Sequence, residues 1–159
     1  MRIVVFADTH GSFSAVNTIL SSNRYCDHFI FLGDGMEEVN HVRSMFPEKK
    51  FYCVSGNCDP DDSPISGTIE LFNTRIFITH GHHFDVRNTF DNLIERATEE
   101  NASIILFGHT HCRLYKNIKG FHILNPGSAS QPKDHEPPGY AIIELTPCGF
   151  NFMHVDVFN

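Results

Sequence analysis

Five short stretches of the chain set Asp, Asn or His beside Gly. They are Asp8-Thr9-His10-Gly11, Gly33-Asp34-Gly35, Gly56-Asn57-Cys58-Asp59, Thr79-His80-Gly81-His82-His83 and Gly108-His109-Thr110-His111. Carboxylate, amide oxygen and imidazole form a mixed hard and borderline donor set. It suits Mn²⁺, Fe²⁺, Zn²⁺, Co²⁺ or Ni²⁺ better than Ca²⁺. Asp8 and His10, like His109 and His111, share i, i+2 spacing. If the chain stays extended through such a pair, both side chains lie on one face and can grip an ion together. Asp8, His10, Asp34, Asn57, His80, His109 and His111 make seven candidate ligands. That is too many for one tetrahedral zinc, but it suits two ions sharing a carboxylate. Each motif alone has a plainer reading, as a turn, a helix cap or an exposed polar strip. Five in order carry more weight, because independent turns have no need of so much histidine.

Each stretch follows a segment that reads as a strand. Arg2 to Ala7 is a continuous apolar run with the character of a buried strand. Ser12 reads as the N-cap of a helix carrying Ala15, Val16, Ile19 and Leu20. His28 to Leu32 is a second strand. Val39, Val42, Met45 and Phe46 mark a helix stopped by Pro47, and Phe51 to Val54 a third strand. This β-α-β-α-β opening implies parallel strands with crossover helices. Pro60 to Ser66 reads as a polar loop. Thr68 to Phe72 and Arg75 to Thr79 form a hairpin about Asn73-Thr74, and Thr89 to Glu100 a helix. Ile104 to Phe107 is a strand. Hairpins about Lys119-Gly120 and Pro147-Cys148-Gly149 follow, joining Leu114–Ile118 to Phe121–Leu124 and Tyr140–Leu145 to Phe150–Val157. The Asn125 to Gly139 loop holds four prolines and is expected to be exposed and near the site. Two packed sheets with helices outside satisfy this string. In open α/β sheets, ligands sit beyond the carboxyl ends of strands, and that is where the five stretches fall.

The 159 residues suggest one domain spanning 1–159, long enough to bury roughly 70% of its unfolded surface. With 41% hydrophobic and 19% charged residues, the composition is that of a globular protein. A formal net charge of -7 argues against a duplex nucleic-acid partner. No apolar run approaches the roughly 20 residues of a membrane span, and Asp8 cuts the apolar stretch Ile3 to Ala7, so no secretory h-region is expected. Five cysteines without C-x-x-C spacing fit reduced thiols in a cytoplasm. Fifteen Phe and no Trp leave room for a homodimer or homotetramer.

In order and spacing, the blocks from Asp8 to His111 resemble those of the calcineurin-like metallophosphoesterase superfamily: D-x-H, G-D, G-N-[HC]-[DE], a later G-H block and G-H-x-H. The short length, Gly56-Asn57-Cys58-Asp59 and Asn125-Pro126-Gly127-Ser128 look like its small YfcE-type phosphodiesterase branch. The resemblance implies an α/β fold, a four-layer αββα sandwich of two mixed β-sheets flanked by helices. By position it assigns Asp8, His10, Asp34 and His111 to one metal, and Asp34, Asn57, His80 and His109 to a second, with Asp34 bridging. It implies two divalent transition-metal ions per chain, manganese first, with Ni, Co, Fe or Zn open. The implied activity is a dinuclear metal-dependent phosphoesterase, a phosphodiesterase in preference, in which a metal-bridging hydroxide attacks phosphorus in line. The substrate is then a small phosphoester.

The alternatives are a phosphomonoesterase or nucleotide pyrophosphatase, and a non-catalytic protein-binding scaffold of the same fold. The complete ligand set speaks against the scaffold. Asn57, Cys58, Asp59 and His82 are the further catalytic candidates. Many relatives place His where Cys58 stands. A thiol with a pKa of about 8.5 is a weak proton donor, and packing is an equal reading for it. Asp59 is expected to orient His10 or a loop amide, and His82 to contact phosphate or solvent. The Asn125–Ser128 turn is expected to return to the site, its amides facing substrate or supporting ligand loops. Where the branch often carries Arg, the nearest cation is Lys133, which supplies a point charge and not a bidentate clamp.

Overall fold

A computed structural model describes residues 1–60 and 63–158. Residues 61 and 62 of the expected Pro60-to-Ser66 loop, and residue 159, lie outside the described residues. In chain order the elements are β1 (Arg2–Phe6), α1 (Phe13–Ser22), β2 (His28–Phe31), α2 (Met36–Met45), β3 (Lys50–Cys53), β4 (Ser66–Leu71) and β5 (Thr74–Thr79). Then come α3 (Asp91–Glu99), β6 (Ile104–Leu106), β7 (Arg113–Ile118), β8 (Phe121–Pro126), β9 (Gly139–Thr146) and β10 (Gly149–Asp156). They build two mixed five-stranded sheets, ordered β10-β9-β1-β2-β3 and β4-β5-β6-β8-β7. β1, β2 and β3 run parallel in the first sheet, and β5, β6 and β8 in the second.

Side-chain alternation along the strands makes the layers. Ile3, Val5, Ile30 and Leu32 face Ile76, Ile78, Ile104 and Leu106 in one buried cluster between the sheets. The neighbouring residues Val4, Phe6, Phe29 and Phe31 point the other way, against Ala15, Val16, Ile19 and Val39 of α1 and α2. On the far side, Phe77, Ile105 and Phe107 pack under Leu93 and Ala97 of α3. Among the fully buried side chains, aliphatic residues therefore fill the space between the sheets, while the Phe side chains lie between sheet and helix. Each fully buried Phe contributes roughly 1.5–3 kcal/mol. The result is the αββα sandwich. A run such as Ile3 to Phe6 carries no polar alternation because both faces of β1 are covered.

Ser12 caps α1, its side chain accepting from the Ala15 amide. Two expectations shift. The β4–β5 turn is centred on Phe72-Asn73, one residue earlier than Asn73-Thr74, because both residues take left-handed φ and Leu71 pairs with Thr74. The Asn125–Gly139 loop is not exposed throughout. Asn125 to Ala129 are buried at the sheet ends, and only the stretch after them reaches solvent.

Candidate metal centre

The parallel strands of both sheets end on the same side, and their following turns converge there. Asp8, His10, Asp34 and His111 each offer a donor atom, and these atoms all lie within 4.8 Å of one another. His111 Nε2 is 3.3 Å from Asp8 Oδ1 and 3.2 Å from His10 Nε2. His10 Nε2 is 3.7 Å from Asp34 Oδ2. On the other side of Asp34, His80 Nε2 lies 3.5 Å from the same Oδ2, and His109 Nδ1 lies 3.2 Å from His80 Nε2. Asp34 is thus shared between two groups of imidazoles.

The tautomers follow from carbonyl partners, which can only accept. His111 Nδ1 donates to Gln131 O at 2.7 Å, and His80 Nδ1 donates to Leu32 O at 2.7 Å. Each ring therefore turns Nε2 toward the carboxylates. Asp8 Oδ1 is buried without a hydrogen-bond partner, while Asp8 Oδ2 accepts from the His109 amide at 3.1 Å. A buried carboxylate oxygen left unpaired among imidazole nitrogens is costly unless a cation meets it. The donor set fits divalent metal.

Electrostatics point the same way. Burial opposes ionisation of Asp34, but the His80 ring and the Cys58 amide outweigh it and hold the carboxyl well below its usual range. Burial pushes His80 down, yet Asp34 and Asp8 together raise it. The Asp8 carboxylate beside its Nε2 raises His111 against its burial. Burial, then the charges of His80 and Arg87, push His109 down to about 4. The carboxylates draw positive charge to this place.

The i, i+2 pairs do not behave as extended grips. Asp8, His10, Asp34, His109 and His111 all have positive φ. The left-handed turn sends His111 to Asp8 and His10 but His109 to His80, so the His-x-His pair divides between the two groups.

Asn57 is exposed and its amide donates to Cys58 Sγ at 3.3 Å. Cys58 is exposed rather than packed, which removes the packing reading. Its amide donates to Asp34 Oδ1 at 2.8 Å. Burial first, then the charge of Asp34, raises its thiol, which stays protonated at neutral pH. Asp59 does not reach His10. Its carboxylate accepts from the amides of Asp34, Gly35, Met36 and Gly56 at 2.7–2.8 Å. These four bonds occupy its oxygens and fix the Asp34 loop against the Gly56 loop. A Cβ on Gly56 would overlap the Asp34 carboxylate, which explains glycine there. His82 lies beside this group, its ring centroid 5.3 Å from His80 and 6.2 Å from His109, with a buried, unpartnered Nδ1.

Two supporting residues, Glu38 and Arg113, have no motif to announce them. Glu38, buried on α2, accepts from Thr9 Oγ1 at 2.8 Å and from the Gly11 amide at 2.6 Å, tying down the Asp8–His10 turn. In sequence it is indistinguishable from exposed Glu37. Arg113 Nη2 donates to Pro137 O and Asp156 Oδ1, and the Arg113 amide to Asp134, pinning the proline-bearing loop. Ser128 Oγ donates to Asp8 O at 2.7 Å, and Asn125 Nδ2 to Gly108 O at 2.7 Å. The Asn125–Ser128 turn therefore supports ligand loops largely through side chains.

A cavity of about 640 Å³ opens onto this cluster, lined by His10, Asp34, Cys58 and Asp59 and by Met36 and Asn40 of α2. Two mixed sheets between helices, with carboxylates and imidazoles gathered at the strand ends, define a metal-binding αββα protein. The calcineurin-like phosphoesterase superfamily domain matches residues 1–147, and the chain belongs to that family, whose members use divalent metals. The probable metallophosphoesterase YsnB of Bacillus subtilis is 31% identical over 147 residues, covering 91% of this chain and 85% of the relative. The phosphodiesterase YfcE of Escherichia coli is 28% identical, covering 91% and 88%. A crystal structure of a predicted phosphoesterase from Streptococcus pneumoniae superposes with a TM-score of 0.83 at 30% identity, covering 98% of this chain and 89% of that one. Vps29 of Entamoeba histolytica, complexed with Zn²⁺, has a TM-score of 0.75 at 19% identity over 99% of both chains, a likeness of fold. Among the described residues no helix is long and apolar enough to cross a membrane.

Proposed function

We propose that residues 1–159 act as one metallophosphoesterase domain that hydrolyses small phosphodiesters with two divalent ions, manganese first. The observation that carries this reading is the convergence of four donors within 4.8 Å around a buried, unpartnered Asp8 oxygen. Asp8, His10, Asp34 and His111 would hold one ion, and Asp34, Asn57, His80 and His109 the other. Ions held there would supply a lowered water pKa and would offset charge developing on phosphoryl oxygens.

The chain's own residues do the rest. His80 and His111, each fixed through Nδ1 to a carbonyl, present Nε2 without needing to reorient. Asp59 holds the Asp34 loop, and Glu38 the His10 loop, so donor positions are set before substrate arrives. His82, with its free Nδ1, is placed to contact a phosphoryl oxygen. Cys58, with its raised thiol, supplies a weak proton to a leaving oxygen at most, which favours diesters with good leaving groups. No side-chain nucleophile is required. YfcE bears the name phosphodiesterase, which supports diester over monoester. The five free cysteines support a cytoplasmic setting, and exposed Tyr115 and Met153 a homodimer or homotetramer.

The test is hydrolysis of bis(4-nitrophenyl) phosphate by metal-stripped protein, titrated separately with Mn²⁺, Ni²⁺, Co²⁺, Zn²⁺ and Mg²⁺, with 4-nitrophenyl phosphate alongside. Diester turnover that requires metal is the expected result. Two ions bound without turnover of either ester would sink the reading and leave a binding scaffold.

A further inference from the structure

A second cavity, of about 460 Å³, lies beside the candidate metal loop and has a different character. Its floor is Phe90, Phe107 and Leu114, and its wall includes Thr110, which sits between His109 and His111. Arg87 and Lys133 stand at its rim. Lys116 Nζ lies 5.3 Å over the Phe90 ring. None of Arg87, Lys116 and Lys133 pairs with a carboxylate among the described residues, where the ion pairs of Arg and Lys involve only Arg2, Arg96 and Arg113. The lining thus holds two cations and no carboxylate, with a third cation over one of its rings, in a chain whose net charge is -7. The larger cavity, by contrast, is lined by Glu37 and Glu38 and by no Lys or Arg.

The cationic pocket is joined to the centre by the backbone. The Lys133 amide donates to His111 O at 2.9 Å, and Thr110 and Cys112 of the lining flank His111 in the chain. We propose that this pocket seats the non-reacting arm of the substrate, and that the arm it selects combines an apolar or aromatic body with an anionic group. This rests on the phosphodiesterase reading and narrows it to diesters carrying additional negative charge on one arm. The Phe90 and Phe107 rings, tilted 58° to one another, take the body by burial and by edge or face contact, and the rim takes the charge.

The probe is 2-naphthalenesulfonate, titrated calorimetrically into the metal-loaded chain, with 2-naphthalenemethanol and methanesulfonate as apolar-only and charge-only controls. One naphthalenesulfonate is expected to bind per chain, more tightly than either control. In the triple variant Arg87→Gln, Lys116→Gln, Lys133→Gln its affinity should fall about tenfold, since exposed charges each contribute a few-fold. The loss should shrink between low and high salt. All three side chains are exposed, so the variant should fold, which circular dichroism checks. Binding unchanged in the triple variant overturns the proposal.

The second readout is kinetic. It compares kcat/KM for a 4-nitrophenyl diester with a carboxynaphthyl second arm against bis(4-nitrophenyl) phosphate. The ratio should fall about tenfold in the triple variant, and naphthalenesulfonate should compete with the charged diester. Cation-dependent binding that is non-competitive would overturn the substrate-arm assignment and mark a separate anion site. Failure of the wild type to turn over any diester would sink the function reading, while the calorimetric arm still decides what the pocket binds.

Discussion

At the carboxyl ends of the parallel strands, Asp8, His10, Asp34, His109 and His111 hold φ between 40° and 66°. At the hairpin turns leading into β5 and β8, Phe72, Asn73 and Lys119 hold φ between 50° and 59°. The backbone conformation is the same, and outside glycine it costs about 1–3 kcal/mol per residue, least for Asn and Asp. What maintains it differs. The hairpins need left-handed residues because that turn matches the twist of the flanking strands, and many side chains would serve. The metal loops are held residue by residue: Asp8 by Ser128, the Asp34 loop by Asp59, His111 by Gln131. Strain at one end serves connection, and at the other it aims donor atoms.

The most damaging change should therefore be one that leaves backbone strain alone and removes a donor's charge. Asp34→Asn does this, since Asn tolerates the left-handed region. The several kcal/mol of charge stabilisation that bound metal supplies would be lost. Metal-dependent diester hydrolysis should fall on the order of a thousandfold while the far-ultraviolet circular dichroism stays native. Retained activity would remove Asp34 from the shared position. Gly56→Ala comes next. Its Cβ would lie 2.6 Å from the Asp34 nitrogen and overlap the carboxylate. Unfolding stability should drop by about 1–3 kcal/mol, and Mn²⁺ affinity about 10- to 100-fold as Asp34 is displaced. Gly67→Ala on β4, with nothing within 4 Å of its added Cβ, is the control and should bind Mn²⁺ normally.

The same contrast explains what could be read from sequence. Donor residues beside glycine at the ends of apolar runs were legible, because those residue types have few other reasons to recur there. The layering was legible too, since the β-branched run Ile3-Val4-Val5-Phe6 reads as a strand covered on both faces. The division of His109 from His111 came only with the family resemblance, because spacing alone cannot distinguish an extended pair from a left-handed turn. Glu38 and Arg113 act across 27 and 43 residues of chain, on Gly11 and Asp156. Nothing local marks either as different from its neighbours. The order of strands in each sheet was out of reach for the same reason, since the partner of β1 beyond β2 is β9, more than a hundred residues away.

Titration offers a smaller, reversible test, because the histidines oppose one another. In the metal-free chain His80 and His111 are raised above the ordinary 6.5. Their contribution to stability is full below 6.5 and is lost as pH rises through their folded values. His109, at about 4, has the opposite sign: its contribution is present above 6.5 and is lost as pH falls toward 4. The melting temperature with chelator should therefore fall on both sides of about pH 6.5. With Mn²⁺ bound, His80 and His111 must be unprotonated at Nε2, so the decline above 6.5 should vanish. A chelated chain that gains stability steadily from pH 6.5 to about 8.5 would contradict these assignments.

The smallest effect should appear at the end where strain has no functional duty. Lys119 is exposed, has φ of 53° and precedes Gly120 at φ 88°. Lys119→Asn creates Asn-Gly, the pair best suited to such a two-residue turn. No side chain loses burial and no ligand loop is touched. The chain should gain roughly 0.5–1 kcal/mol in denaturant unfolding, with diester hydrolysis unchanged. His10→Asn makes the same kind of replacement at the other end, easing a left-handed residue whose φ is 40°. There it removes a donor 3.2 Å from His111, so any ease in the backbone should be accompanied by loss of metal-dependent activity. If both replacements left activity intact, the strained turns at the strand ends would be no more than connections, and the distinction between the two ends would fall.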